Sequence, residues 1–177
     1  MLRSLHNAYG NVVRGHIPEL LEAGVAAGLG SDHASSGIVD LCQEMLLLAG
    51  AYKEVREDAT VLPPERVLEM ATVHGARCAL WPDALGALEV GRRADLTLFD
   101  TARPEWQPLY NPVANLVYSA TGKSVDTVIV DGLVLVEGSR ALTLDEPAIL
   151  AAAQELVPRI LARTGLGARA APRWPVL

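Results

Sequence analysis

The sequence predicts an α/β protein, and three features indicate that fold class. Residues 25–32, VAAGLGSD, are small and apolar, which is typical of a parallel strand that is buried on both faces. Two helices with apolar faces are predicted to follow this strand, at 39–55 and 65–80. A β-hairpin is predicted at 124–138, so the chain combines helices with a parallel strand and with antiparallel strands.

The first half of the chain is predicted to be mainly helical. Residues 17–24 are predicted to form a short helix, because Pro18 suits its first turn and Gly24 suits the position just after its end. The helix at 65–80 carries apolar residues near the helical period, and the helix at 39–55 has a clearer apolar stripe. That stripe consists of Leu41, Met45, Leu48 and Tyr52.

The second half of the chain is richer in strands. Residues 86–100 are predicted to form two short strands that Gly91 separates. The hairpin at 124–138 is expected to turn at Asp131-Gly132, since Asp-Gly between two apolar runs is a strong signal for a two-residue turn.

Two further helices are predicted near the C-terminal end. Residues 111–122 indicate a short helix that the chain enters through Pro112. The last helix is expected to begin near Thr143, which has the spacing of a capping box with Glu146, and the tail at 168–177 is expected to run extended. The apolar face of the last helix consists of Ile149, Leu150, Ala153, Leu156, Val157, Ile160 and Leu161.

Composition excludes several classes of protein. The chain has 177 residues, of which 50 % are hydrophobic and 20 % are charged, so it is long enough for a folded core. A net charge of -6 argues against a nucleic-acid partner, which would need a basic face. Two cysteines make neither a disulfide framework nor a zinc knuckle. Because we also find no signal peptide and no membrane span, we expect a cytoplasmic protein without a membrane partner.

The strand at 25–32 raises the question of its neighbours. A strand buried on both faces needs a strand on each side, and no other segment of residues 1–80 has a pattern that could pair with it. We therefore expect this sequence to form the end of a larger α/β unit.

Four motifs resemble one known family when they are taken in order. They are PELLEAGVAAGLGSD, PPERVLEMATVHGARCAL, GALEVGRRADLTLFD and NPVANLVYSATGKSVDTVIVDGLVLVEG. Together they cover roughly residues 7–138 and resemble the C-terminal part of the amidohydrolase superfamily. The closest likeness is to its metal-dependent aminohydrolases, a group that includes cytosine, guanine and adenosylhomocysteine deaminases and the triazine hydrolases.

The resemblance implies a (β/α)8 barrel beside a small β-sandwich. Residues 1–82 would supply the last strand and helices of the barrel, and residues 83–140 would supply the C-terminal strands of the sandwich. Residues 141–177 would add a helix and a tail.

Asp32 is the strongest candidate for a catalytic residue. It ends the predicted strand, and active sites of (β/α)8 barrels lie at that end of the strands. The resemblance implies that Asp32 is a metal ligand that also takes a proton from the metal-bound water. The alternative is a helix N-cap or turn residue, a frequent use of Asp between a strand and a helix. His33 and Ser35 are further candidates for contact with the substrate.

The implied cofactor is one divalent metal, with zinc expected first and iron as the alternative. The sequence has no His-x-His pair, and a zinc site needs three or four protein ligands, so the other ligands are expected outside this chain. We therefore expect the chain alone to be inactive.

The function that the resemblance implies is hydrolysis of a C–N bond in a small nitrogen heterocycle, a deamination by metal-activated water. Two alternatives stay open: a cyclic amidase of the same fold, and a non-catalytic chain that binds a partner half. The expected partners are a small heterocyclic substrate and either copies of the same chain or the missing N-terminal half.

Overall fold

The computed structural model describes residues 16–31 and 39–170 of the chain. The chain divides into two compact units, Met1–Arg140 and Ala141–Leu177. In the described part of the first unit, the helices are α1 (Ile17–Glu22), α2 (Leu41–Arg56), α3 (Pro64–Ala71), α4 (Val73–Cys78) and α5 (Pro112–Tyr118). Its strands are β1 (Leu96–Phe99), β2 (Val125–Val130) and β3 (Leu133–Glu137), and the two-residue strand β4 (Arg140–Ala141) follows where this unit ends. The second unit contains helices α6 (Glu146–Thr164) and α7 (Gly167–Ala170).

Helix α1 confirms the end that was predicted from Gly24. Gly24 has a φ of +79°, a left-handed conformation that glycine adopts without steric cost. The Gly24 N–H donates to the Leu21 carbonyl at 3.1 Å, and the Val25 N–H donates to the Leu20 carbonyl at 2.9 Å. These two bonds form a Schellman motif, which satisfies carbonyls at the end of the helix and directs the chain into residues 25–31.

Residues 25–31 do not form the continuous strand that was predicted. Leu29 is an isolated bridge residue, and its N–H donates to the carbonyl of Met70 at 3.1 Å. This donor therefore bonds to the last turn of α3 rather than to a neighbouring strand. A ladder requires paired strands on either side, and the described residues of the first unit place none beside this segment.

The predicted helix at 65–80 is wrong as a single element, because it breaks at Thr72 into α3 and α4. Thr72 has φ −121° and ψ −95°, outside the helical region. Its hydroxyl donates to the Leu68 carbonyl at 2.8 Å, a bond from residue i to residue i−4 that tends to bend helices. At the break, the chain near Gly86 comes so close that a Cβ there would lie 2.9 Å from the Cα of Val73.

The core of the first unit lies between its helices. The stripe predicted for α2 is confirmed at three of its four positions, since Leu41 is 45 % exposed and Cys42 is buried instead. Val67 and Met70 of α3 and Val117 of α5 are fully buried against this stripe. The whole cluster consists of Ile17, Leu21, Cys42, Met45, Leu48, Ala49, Tyr52, Leu62, Val67, Met70 and Val117.

The hairpin is confirmed. Strands β2 and β3 are antiparallel, with Val130 opposite Leu133, and the intervening Asp131 and Gly132 have φ of 51° and 80°. Two successive positive φ values are the requirement of the tight turn that Asp-Gly favours. The described strands form one sheet in the order β1-β2-β3-β4.

Only the second of the two strands predicted in 86–100 forms, as β1. Gly91 does break the segment, with a φ of +93°, but the residues before it form turns. The Arg92 guanidinium donates to the Leu85 carbonyl at 3.0 Å, which holds those turns together. The ring of Phe99, the last residue of β1, lies with its centroid 5.6 Å from that of the Trp106 ring. The sandwich and the boundary near residue 82 stay predictions.

The second unit corrects the predicted start of the last helix. Asp145 is the N-cap of α6, and its carboxylate accepts the N–H of Ala148 at 3.0 Å. Thr143 is therefore not the cap, and Glu146 is the first helical residue rather than the third. Of the tail that was predicted to be extended, residues 168–170 are helical, and residues 171–177 lie outside the described residues. Within the described chain the apolar face of α6 is not buried.

None of the described helices is both long enough and apolar enough to cross a bilayer.

Candidate functional site

The three predicted site residues, Asp32, His33 and Ser35, lie outside the described residues. The structure does describe the backbone that leads to them and away from them. Residues 25–31 precede Asp32, and the described chain resumes at Val39, one residue before the N-cap of α2. These two anchors are the part of the candidate site that can be built from the described residues.

The upstream anchor depends on close backbone approach at Gly28. A Cβ at Gly28 would lie 3.1 Å from the Cα of Gly75 and 3.3 Å from the side chain of Cys78, so only glycine fits easily. One residue later, the Leu29 N–H bonds to the Met70 carbonyl. Small residues in 25–31 therefore let this segment lie directly on α3 and α4, four residues before Asp32.

The downstream anchor is Asp40, which the sequence analysis did not single out. One carboxylate oxygen, Oδ1, accepts the N–H of Cys42 at 2.9 Å and so caps α2. The other oxygen, Oδ2, accepts the N–H of Gly122 at 2.9 Å. An Asp directly before an apolar helical run is a recognised capping signal, so half of this role could have been predicted. The contact with Gly122 spans 82 residues and has no local signal.

Cys42 is unsuited to nucleophilic chemistry. Burial, which is the larger cause, and the negative charge of Asp40 together raise the pKa of its thiol to about 11. A thiol with such a pKa stays protonated at neutral pH, whereas the thiolate is the reactive form. Cys42 is therefore a core residue, as its place among the apolar side chains of α2 indicates.

Glu44 is a second acidic residue that the sequence analysis did not single out. Its side chain is completely buried in the first turn of α2, and its backbone N–H donates to the Asp40 carbonyl at 3.1 Å. A carboxylate is favoured near a helix N-terminus, where unbonded N–H groups carry partial positive charge. The burial of Glu44 depends on how α2 packs against its neighbours. It could not be predicted from the helical periodicity of the sequence alone.

His74 lies inside α4 and is 9 % exposed, as expected for a packed helix residue. Its Nδ1 is buried and has no hydrogen-bond partner among the described residues. Burial lowers the pKa of His74 below 6.5, and the positive charge of Arg77 lowers it further. The imidazole is therefore neutral at neutral pH.

The pKa of His74 predicts a pH dependence of stability. Below about pH 6.5 the unfolded chain binds a proton at His74 that the folded chain resists, so stability falls as the pH is lowered through that value. We expect His74→Leu to flatten this part of the stability curve between pH 7 and pH 5, as measured by urea unfolding. An NMR titration that places the pKa of His74 above 6.5 in the folded protein would contradict the expectation.

The described residues do not by themselves offer a metal site. Within 16–31 and 39–170 there is no group of three His, Cys, Asp or Glu side chains that could hold an ion. A zinc site normally uses three or four such ligands, so the described donors do not fit one without further residues.

A cleft of about 920 Å³ opens beside the downstream anchor. Its walls come from α2, α3, α5, β1 and β2 and are mostly apolar, with Asp40 and Lys123 as the charged residues that line it. Such a surface is suited to packing against apolar side chains.

Comparison with known proteins identifies the family. The sequence model of the family described as "Amidohydrolase family" matches residues 4–135 of this chain. The 5-methylthioadenosine/S-adenosylhomocysteine deaminase of Desulforudis audaxviator is 44 % identical over 146 residues, which cover 82 % of this chain and 34 % of that protein. The S-triazine hydrolase of Gordonia rubripertincta is 36 % identical over 156 residues, which cover 85 % of this chain and 32 % of that protein.

Solved structures give the same result. An adenosine deaminase from Xanthomonas campestris with bound zinc superposes with a TM-score of 0.78 and 31 % identity, over 82 % of this chain and 34 % of that one. The chain thus spans about a third of the length of the relatives it matches. Its helices and strands follow the fold of these relatives, and the chain belongs to the amidohydrolase family.

Proposed function

We propose that this chain is the C-terminal portion of a metal-dependent hydrolase that removes an amino group from a small nitrogen heterocycle. Its helices would then close a (β/α)8 barrel, and β1 to β4 would be its share of a β-sandwich. Its partner would be either the missing N-terminal half or further copies of the same chain. The observation that carries the proposal is the family match over residues 4–135, which includes Asp32.

The names of the relatives support the class of substrate. Several are deaminases of adenosine-type compounds, and one is an S-triazine hydrolase. Adenine and triazine are both flat nitrogen heterocycles whose ring carbon can be attacked by water. We therefore assign a heterocycle of this kind to the complete protein, with an amine as the leaving group.

In this proposal Asp32 is a metal ligand and a general base. A zinc ion held there would supply the attacking water, because zinc lowers the pKa of a water bound to it to about 7. The Asp32 carboxylate would accept the proton of that water and pass it to the departing nitrogen. His33 and Ser35 would contact the heterocycle, and the other metal ligands would come from residues outside this chain.

The experiment compares the complete protein with the 177-residue chain. We expect the complete protein to retain stoichiometric zinc through dialysis and to release ammonia from adenosine-type substrates. The 177-residue chain should hold substoichiometric zinc and show no turnover. Zinc is measured by mass spectrometry and ammonia by a coupled assay. Turnover by the complete protein that survives full removal of metal would overturn the proposal, and so would the absence of hydrolysis across a panel of aminoheterocycles.

A further inference from the structure

We propose that the apolar face of α6 binds the same face of a second copy of this chain, with the two helices antiparallel. Helix α6 lies outside the residues 4–135 that match the family model, so the inference goes beyond the proposed function. It concerns how copies of the chain associate, and it does not depend on the chemistry assigned to Asp32.

The apolar face of α6 is a continuous surface that is open to solvent. Five of its large aliphatic side chains are between 42 % and 70 % exposed, namely Ile149, Leu150, Leu156, Val157 and Ile160. No residue of this 19-residue helix is buried. Contiguous exposed apolar surface marks an interaction site, whereas single exposed aliphatic residues are ordinary. Because helices in proteins gain most of their stability from packing of the apolar face, we expect a partner to cover this one.

The centre of the face is a line of residues that are spaced alternately by three and four positions, as in helices that pair with one another. From end to end the line consists of Glu146, Ile149, Ala153, Leu156, Ile160 and Arg163. Leu150 and Val157 widen the line on one side, and Pro158 lies on the opposite side of the helix. The line therefore has an acidic residue at one end, a basic residue at the other and apolar residues between them.

This order of charges makes the line complementary to itself when one copy is reversed. In an antiparallel pair, Glu146 of each copy lies opposite Arg163 of the other, which gives an ion pair at both ends. The small Ala153 then lies opposite the large Leu156, so the side chains at the centre can interdigitate. A twofold axis relates the two copies, as in most protein dimers. A parallel pair would instead bring like charges together at both ends.

The apolar residues and the charges contribute differently to such a pair. Burial of the aliphatic side chains supplies most of the affinity, because exposed ion pairs contribute little. The charges determine the orientation and the register of the helices, since they oppose every arrangement that brings like charges together. A reversal of charge therefore tests the arrangement while the apolar face stays intact.

The experiment uses the complete protein in two charge-reversed variants, Glu146→Arg and Arg163→Glu. Each variant alone has like charges opposite each other at both ends, and we expect its dimer dissociation constant to rise about tenfold, because several small electrostatic contributions add. An equal mixture of the two variants brings opposite charges together again, so it should form a heterodimer about as tight as the parent dimer. Sedimentation equilibrium at low salt measures the association, and native mass spectrometry counts the heterodimers.

Mixing separates an effect on the interface from an effect on the helix itself. Glu146 in the first turn and Arg163 in the last turn each also favour the dipole of their own helix. A variant that lost only this local effect would not regain association when it is mixed with the other variant. Glu155→Arg is the matched control, because it makes the same reversal in the same helix but away from the line. It should associate like the parent.

The outcomes decide the inference without any measurement of turnover, so they are independent of the proposed hydrolase function. Recovery of a heterodimer in the mixture, with unchanged association of Glu155→Arg, supports an antiparallel pair of α6 helices. A parent that stays monomeric at every concentration would overturn the inference. Equal association of the parent and all variants would also overturn it, because another part of the protein then covers this face. Weaker association without recovery in the mixture would show that only the helix was perturbed and would likewise overturn it.

Discussion

Replacing Asp32 by asparagine in the complete protein is expected to lower kcat by at least about a hundredfold, because loss of a general base typically costs 10² to 10⁴ in rate. Asparagine keeps the shape of the side chain but lacks the negative charge and the capacity to take a proton. Zinc retention should fall as well if Asp32 is the metal ligand that we propose. The measurements are kcat, KM and zinc content on the same preparation.

The same variant tests the alternative use of Asp32. If Asp32 only caps a turn or helix, Asp32→Asn should be nearly neutral in stability and in rate, since Asn caps about as well as Asp. A melting temperature near that of the parent together with a large loss of kcat would support the catalytic assignment. A near-normal kcat would remove Asp32 from the mechanism.

Gly86→Ala is expected to destabilise the protein by roughly 2–6 kcal/mol, because backbone strain and overpacking each contribute about 1–3 kcal/mol. Gly86 has a φ of +90°, a conformation that residues with a side chain rarely adopt. Its added Cβ would lie 2.9 Å from the Cα of Val73 and 3.0 Å from the Thr72 carbonyl oxygen. Both are backbone atoms at the start of α4, so relief would require α4 to move.

Gly50→Ala is the matched control. Gly50 lies in the interior of α2, and a Cβ there would meet nothing within 4 Å. Since glycine inside a helix is less stable than alanine by roughly 0.5–1 kcal/mol, this variant should raise the free energy of unfolding by about that amount. Both variants are compared with the parent by urea unfolding. Equal effects of the two substitutions would contradict the assigned role of Gly86.

Features with strong local signals could be predicted from the sequence. The end of α1 at Gly24 and the hairpin turn at Asp131-Gly132 are confirmed, because each depends on a backbone conformation that a few neighbouring residues determine. The start of α5 at Pro112 is confirmed for the same reason. The start of α6 was misplaced because Thr143 and Asp145 both carry capping signals, and the backbone geometry decides between them.

The features of the candidate site likewise divide into those that have a local sequence signal and those that do not. The sequence singled out Asp32 from its place after a run of small residues, and the cap formed by Asp40 has a local signal as well. The link from Asp40 to Gly122 and the burial of Glu44 and His74 have no such signal. They arise from contacts between elements that are distant in sequence.

By itself, then, the sequence determined the order of most helices and strands, the hairpin turn and the family likeness. The tertiary structure alone decided the break at Thr72, the absence of a ladder at 25–31 and the two anchors around Asp32. The physical reason is the distance along the chain between the residues that interact. Capping, turn conformation and periodicity act over a few residues, whereas the contact at Gly86 and the bond to Gly122 exist only after distant segments have packed.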